Sequence, residues 1–110
     1  MIYIASPYWH KKKRVRRHRR KQAIRYSLAL SQYGILNYCP LLYTSGIKDN
    51  MIPEEYWVQH GEKMVSFCSC VQVLCLDGWQ ESNGVDRELK VAEEHGLEVF
   101  YIDPGIMKWI

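Results

Sequence analysis

Apolar and polar positions alternate between two periods along this chain. Residues 2–5 (Ile-Tyr-Ile-Ala) form a short run of β-branched and aromatic side chains, closed by Ser6-Pro7. That pattern predicts a buried strand, with Pro7 ending the ladder and opening a loop. Residues 11–33 contain no Gly or Pro. Within them Val15, Gln22, Ala23, Tyr26, Ala29, Leu30 and Tyr33 recur at spacings of three, four or seven, which predicts a long helix whose apolar seam strengthens toward its C-terminal half. Gly34 suits the position just past that helix. Residues 35–39 (Ile-Leu-Asn-Tyr-Cys) read as a second strand stopped by Pro40, and residues 41–52 as loop. Pro53 with Glu54-Glu55 marks a helix start, running to about Cys68. Residues 70–76 are the strongest central strand, a further helix covers about 84–95 and ends at Gly96, and residues 98–102 form a last strand before Asp103-Pro104-Gly105.

Strands alternating with helices over short links imply a parallel sheet covered on both faces. The expected fold is a single α/β domain over residues 1–110: a small doubly wound, flavodoxin-like parallel sheet of four to five strands. In such a sheet the ligand crevice lies at the carboxyl ends of the strands. Three loops qualify: Ser6 to Tyr8, Pro40 to Ser45, and Asp77 to Gly84.

Composition changes this picture little. A hydrophobic fraction of 47% with 25% charged residues is ordinary for a globular domain. No apolar run nears the roughly 18 residues of a membrane span. The apolar N-terminus is too short for a signal peptide and precedes its basic run rather than following it, so the expected location is the cytoplasm, with no membrane partner. The four cysteines (Cys39, Cys68, Cys70, Cys75) contain no Cys-x-x-Cys pair, and the four histidines show no metal-ligand spacing. Buried, reduced thiols are expected, with no metal and no cofactor.

Charge is distributed unevenly. Residues 1–48 carry eleven Lys/Arg and no acid, whereas residues 49–110 carry four Lys/Arg and all twelve acids. Nine of the cations lie between Lys11 and Lys21. An anionic partner is implied, and nucleic acid is the first to consider.

The most informative segment is Ser82-Asn83-Gly84-Val85-Asp86-Arg87-Glu88. A Ser-x-Gly loop feeding a helix offers free N–H groups and a hydroxyl to an anion. Glu88, about one turn in, is placed to meet a sugar above the loop, where a carboxylate can attack an anomeric carbon. By itself the segment is equally an N-capping Ser82 followed by a solvated Glu88.

Met1-Ile2-Tyr3-Ile4-Ala5-Ser6-Pro7-Tyr8, together with Leu76-Asp77-Gly78-Trp79 through Glu88, resembles the nucleoside 2-deoxyribosyltransferase superfamily in order and spacing across nearly the whole chain. The resemblance is closest to a short, often phage-encoded branch opening on Ile-Tyr-Ile-Ala-Ser-Pro-Tyr. It implies that Glu88 is the nucleophile, that Asp77 assists at the nucleobase, and that Tyr3 orients Glu88. It further implies that Ser6, Pro7 and Tyr8 line the base pocket. Many transferases of that superfamily have Asp where this chain has Ser82. The branch that hydrolyses deoxynucleoside 5′-monophosphates has Ser there, in a Ser-x-Gly-Val-x-x-Glu pattern that this chain matches. A Ser hydroxyl at a helix N-terminus suits a phosphate, which an Asp would repel. The implied ligand is therefore a nucleotide, with Ser82, Asn83 and Gly84 at its phosphate.

The basic run admits three readings: a solvated face paired with acids or a partner subunit, phosphate contact by Arg14 or Arg17, or nucleic-acid contact. Against the last, the run carries no interleaved aromatics and no recognisable DNA-binding module. Trp57, Trp79 and Trp109 are candidates for stacking on a base, but read first as packing or interface residues. The apolar tail Ile106-Met107-Lys108-Trp109-Ile110 predicts docking onto a neighbouring subunit, hence a homodimer or larger assembly. The leading expectation is cleavage or transfer of an N-glycosidic bond. Two alternatives stay open: a nucleotide-binding protein without turnover, and a nucleic-acid-binding accessory protein that uses the basic helix.

Overall fold

A computed structural model describes residues 1–110. Four parallel strands form one sheet in the order β2-β1-β3-β4: β1 (Ile2–Ala5), β2 (Asn37–Tyr38), β3 (Cys70–Leu74) and β4 (Glu98–Ile102). Helix α1 (Lys13–Gln32) joins β1 to β2. A four-residue helix α2 (Pro40–Tyr43) and helix α3 (Glu54–Ser66) lead to β3, and α4 (Asn83–Glu94) leads to β4. The fold is α/β and flavodoxin-like. No helix is long and apolar enough to cross a membrane.

Period-two alternation sends the two faces of the sheet into separate cores. Tyr3, Ala5, Val71 and Val73 pack with Val65, Cys68, Val85 and Ala92, under α3 and α4. Ile4 and Leu74 pack on the other side with Ala23, Tyr26, Leu41 and Met107, under α1, α2 and the C-terminal turn. The largely buried β1 and β3 are the central strands, as near-continuous apolar runs require.

Several boundaries differ from the sequence pattern for identifiable reasons. Strand β2 has two residues rather than five. Ile35 is consumed in closing α1: Gly34 N–H bonds Ser31 O, and Ile35 N–H bonds Leu30 O. Gly34 takes φ +74° to do so. Cys39 is already the residue ahead of α2. Pro40 opens that helix, in a stretch expected to be loop; four residues are too few to show a period. Pro53 is the residue before α3 rather than its first. Tyr33 is not part of the apolar seam: it follows α1 and is 80% exposed. The C-terminal tail folds back on its own chain. Residues Pro104–Trp109 form a 3-10 turn, Met107 enters the α1-side core, and Arg25 Nη2 donates to the carbonyls of Met107 and Ile110 at 2.7 Å each.

The basic run divides across α1. Arg16, Arg19 and Arg20 turn inward, while Arg14, Arg17, His18 and Lys21 share the outward face and are exposed. One ion pair connects the run to the acidic half, Arg16 Nε to Asp49 Oδ2 at 3.1 Å.

Candidate functional site

With β2 beside β1 and β4 beside β3, the order in which strands are added to the sheet reverses between β1 and β3. Open α/β sheets bind ligands at that switch point, beyond the carboxyl ends of the strands. Here those ends carry Ser6 to Tyr8 and Cys75 to Ser82. Arg19, buried under both loops, fastens them together. Its Nη1 donates to Trp9 O at 2.8 Å and to Tyr8 O at 3.4 Å, and its Nη2 donates to Asp77 O at 2.8 Å. Gly78, at φ +88°, leaves room for that guanidinium; a Cβ there would stand 2.5 Å from Arg19 Nη2.

On the α3–α4 side of β1, three elements converge on one carboxyl group. Tyr3, fully buried in β1, donates its hydroxyl to Glu88 Oε2 from α4. Gly61 of α3 faces both: a Cβ there would lie 3.0 Å from Tyr3 Oη and 3.4 Å from Glu88 Oε2. Burial pushes the Glu88 carboxyl up to about 8; the Tyr3 hydrogen bond opposes that rise, and the nearby Glu62 adds to it. No cation offsets it, since Arg87 is taken by Glu62 at 2.9 Å and Glu55 at 3.4 Å. The Tyr3 phenol is raised well above its ordinary value, first by burial and then by Glu88.

An aromatic wall continues from this pair. The Tyr38 ring lies 5.7 Å from Tyr3, and its hydroxyl is 3.3 Å from His60 Nδ1. His60 stacks on Tyr43 at 5.1 Å with an interplanar angle of 9°. Trp57 meets both edge-on. Beyond it an open apolar hollow of about 580 Å³ is lined by Ile47, Met51, Ile52, Pro53, Tyr56 and Trp57.

The family model described as domain of unknown function (DUF1937) matches residues 1–103. The chain belongs to that family. Among curated proteins none matches it. The matched segment of the DUF1937 domain contains Tyr3, Gly61, Glu88, the Arg19 clamp and the whole aromatic wall, and leaves out the C-terminal tail.

The residues singled out in the sequence fall into separate places. Tyr3 and Glu88 are brought together. Ser82 caps α4, its Oγ accepting from Val85 N–H at 3.3 Å, with Asn83 and Gly84 in the first turn. Asp77 gives its carbonyl to Arg19, while its side chain is exposed. Tyr8 turns to the opposite side of the sheet: its hydroxyl donates to Asp49 Oδ1 at 2.7 Å, and Arg20 lies 4.8 Å over its ring. Pro7 is buried and Ser6 partly so. Arg14 and Arg17 point to solvent, and the arginine reaching the crevice is Arg19, already committed to carbonyls.

Gly61, Tyr38, His60 and Arg19 were not evident from sequence. An isolated glycine inside a helical pattern usually has a packing reason, so Gly61 carried a signal. Arg19 carried none among its cationic neighbours.

Proposed function

We propose that this protein cleaves or transfers the N-glycosidic bond of a (deoxy)nucleoside 5′-monophosphate, with Glu88 as nucleophile. The observation that carries this reading is the part-buried Tyr3–Glu88 hydrogen bond, with no cation beside the carboxyl group. An unpaired, desolvated carboxylate is suited to meeting positive charge, and an oxocarbenium-like transition state develops that charge at the anomeric carbon. Glu88 attacks that carbon, the C–N bond breaks, and its electron pair departs with the base. Water or a second base then displaces Glu88. Tyr3 holds Glu88 in position and favours its ionised form. The Ser82 Oγ accepts from the helix and keeps its own proton to donate, which with the first turn of α4 suits a phosphate. The rings of Tyr38, Tyr43 and His60 offer flat surfaces for a planar base.

The resemblance to nucleoside 2-deoxyribosyltransferases supports the same chemistry. Four free cysteines suit a reducing cytoplasm. The exposed Trp109, Phe100 and Tyr101 favour self-association into a homodimer or larger assembly, which light scattering measures.

The deciding experiment incubates the protein with a panel of nucleoside and deoxynucleoside monophosphates and free nucleosides, and follows base release by chromatography. Release by wild type and none by Glu88→Ala is expected. Equal background release by both overturns the enzymatic reading, and calorimetric binding without turnover assigns the site to sequestration instead.

A further inference from the structure

Trp9 stands directly before the basic run and is 67% exposed. The Arg16 guanidinium lies 4.8 Å from the centroid of its ring. Arg16 is itself fixed, by Asp49 at 3.1 Å and by the carbonyl of His10 at 2.5 Å. The indole is thus backed by an anchored cation on one side, and no other aromatic ring packs against it. An exposed Trp held this way is a stacking platform at low entropic cost.

Its surroundings are cationic and unneutralised. Lys11, Lys12 and Lys13 are exposed at the N-terminal end of α1, and Arg14, Arg17, His18 and Lys21 continue along its outward face. None of them makes an ion pair. The acid paired with the run, Asp49, is taken by Arg16 and the Tyr8 hydroxyl. Packing does not require this charge, because α1 holds to the sheet through Ala23, Tyr26 and the inward arginines. Cations at a helix N-terminus also oppose the macrodipole, by about 0.3–1 kcal/mol per well-placed charge.

From this arrangement we infer a binding surface for single-stranded nucleic acid: one base stacks on Trp9, and the backbone follows Lys11–Lys13 onto the Arg14–Arg17–Lys21 stripe. Stacking platforms joined to basic tracks are how single strands are held without sequence preference. A duplex keeps its bases stacked internally and cannot present one to Trp9. The surface is independent of Glu88 and of turnover.

The test measures anisotropy of fluorescein-labelled 12-nucleotide DNA and RNA strands with the full chain, between 50 and 300 mM KCl, against a 12-base-pair duplex and phosphatidylserine vesicles. The expected result is single-strand binding with a slope of log K on log salt of about −3, as about four phosphate contacts give. Trp9→Ala should weaken it roughly tenfold. Arg14→Gln/Arg17→Gln/Lys21→Gln should flatten the slope. All four positions are exposed, and thermal melts confirm that the variants fold. Whichever of DNA or RNA binds more tightly identifies the polymer. Absence of binding at 50 mM KCl, binding unchanged by Trp9→Ala, or binding to vesicles but not to oligonucleotides overturns the inference.

Discussion

Gly61 stands where a methyl group would come within 3.0 Å of the Tyr3 hydroxyl oxygen. The glycine sits inside α3, where its conformational freedom is a disadvantage: Ala favours a helix interior by about 1 kcal/mol. Its use lies in the space it leaves for the Tyr3–Glu88 pair. Gly61→Ala therefore sets two effects against each other. Denaturation midpoints should change little, since helix propensity offsets the local crowding. Base release should fall roughly tenfold or more, because a displacement of even a fraction of an ångström disturbs an attacking carboxylate. A variant that loses stability and activity in proportion would show Gly61 to be a packing residue only.

Tyr3→Phe removes the one hydrogen-bond donor that favours ionised Glu88. The carboxyl should then rise beyond about 8. Where Glu88 acts as nucleophile, kcat/KM of wild type rises with pH through about 8 as the free site ionises. The variant should move that limb to higher pH and lower the plateau roughly hundredfold. A profile that falls through the same range would make Glu88 a general acid instead.

The same carboxyl sets a pH dependence of folding. Its folded value, about 8, lies above the ordinary glutamate value, so the folded state holds a proton that the unfolded chain has released. The contribution is fully present below the unfolded value, near pH 4, and is lost as pH rises through about 8. Urea midpoints of wild type should decline across that window. Glu88→Gln, which cannot ionise, should remove this part of the decline and be the more stable protein at pH 8. Parallel curves for the two proteins would show that Glu88 ionises freely in the folded state.

Much of this architecture was legible in the chain because it repeats at long range. The pattern of α1 persists over five turns, and β1, β3 and β4 stand between clear breaks, so each was evident at nearly its observed limits. What escaped was short or non-local. Helix α2 has no room for a period, and β2 is trimmed because Ile35 and Cys39 serve the helices on either side. The Ser82 cap and the place of Glu88 on α4 follow from local spacing. The meeting of Glu88 with Tyr3, separated by 85 positions, was implied only by resemblance to a known family. The division of the basic run was hidden because Arg16, Arg19 and Arg20 differ from Arg14 and Arg17 only in which face of α1 they occupy.

Arg19 and Gly78 give the sharpest test of how the crevice is held open. One planar guanidinium reaches the carbonyls of Tyr8 and Trp9 on one loop and of Asp77 on the other. A lysine ammonium lacks that forked geometry and cannot serve both loops. Arg19→Ala leaves these carbonyls without their charged donor and should cost about 2–4 kcal/mol. Arg19→Lys should recover only part of that loss. Gly78→Ala should resemble Arg19→Ala, because its methyl group would stand 2.5 Å from Nη2 while the backbone remains at φ +88°. Sharing one cause, the two alanine substitutions should combine to less than their sum, which chemical denaturation of the double variant measures. Strict additivity would mean that Gly78 answers only to its backbone angle and that the clamp tolerates a side chain beside it.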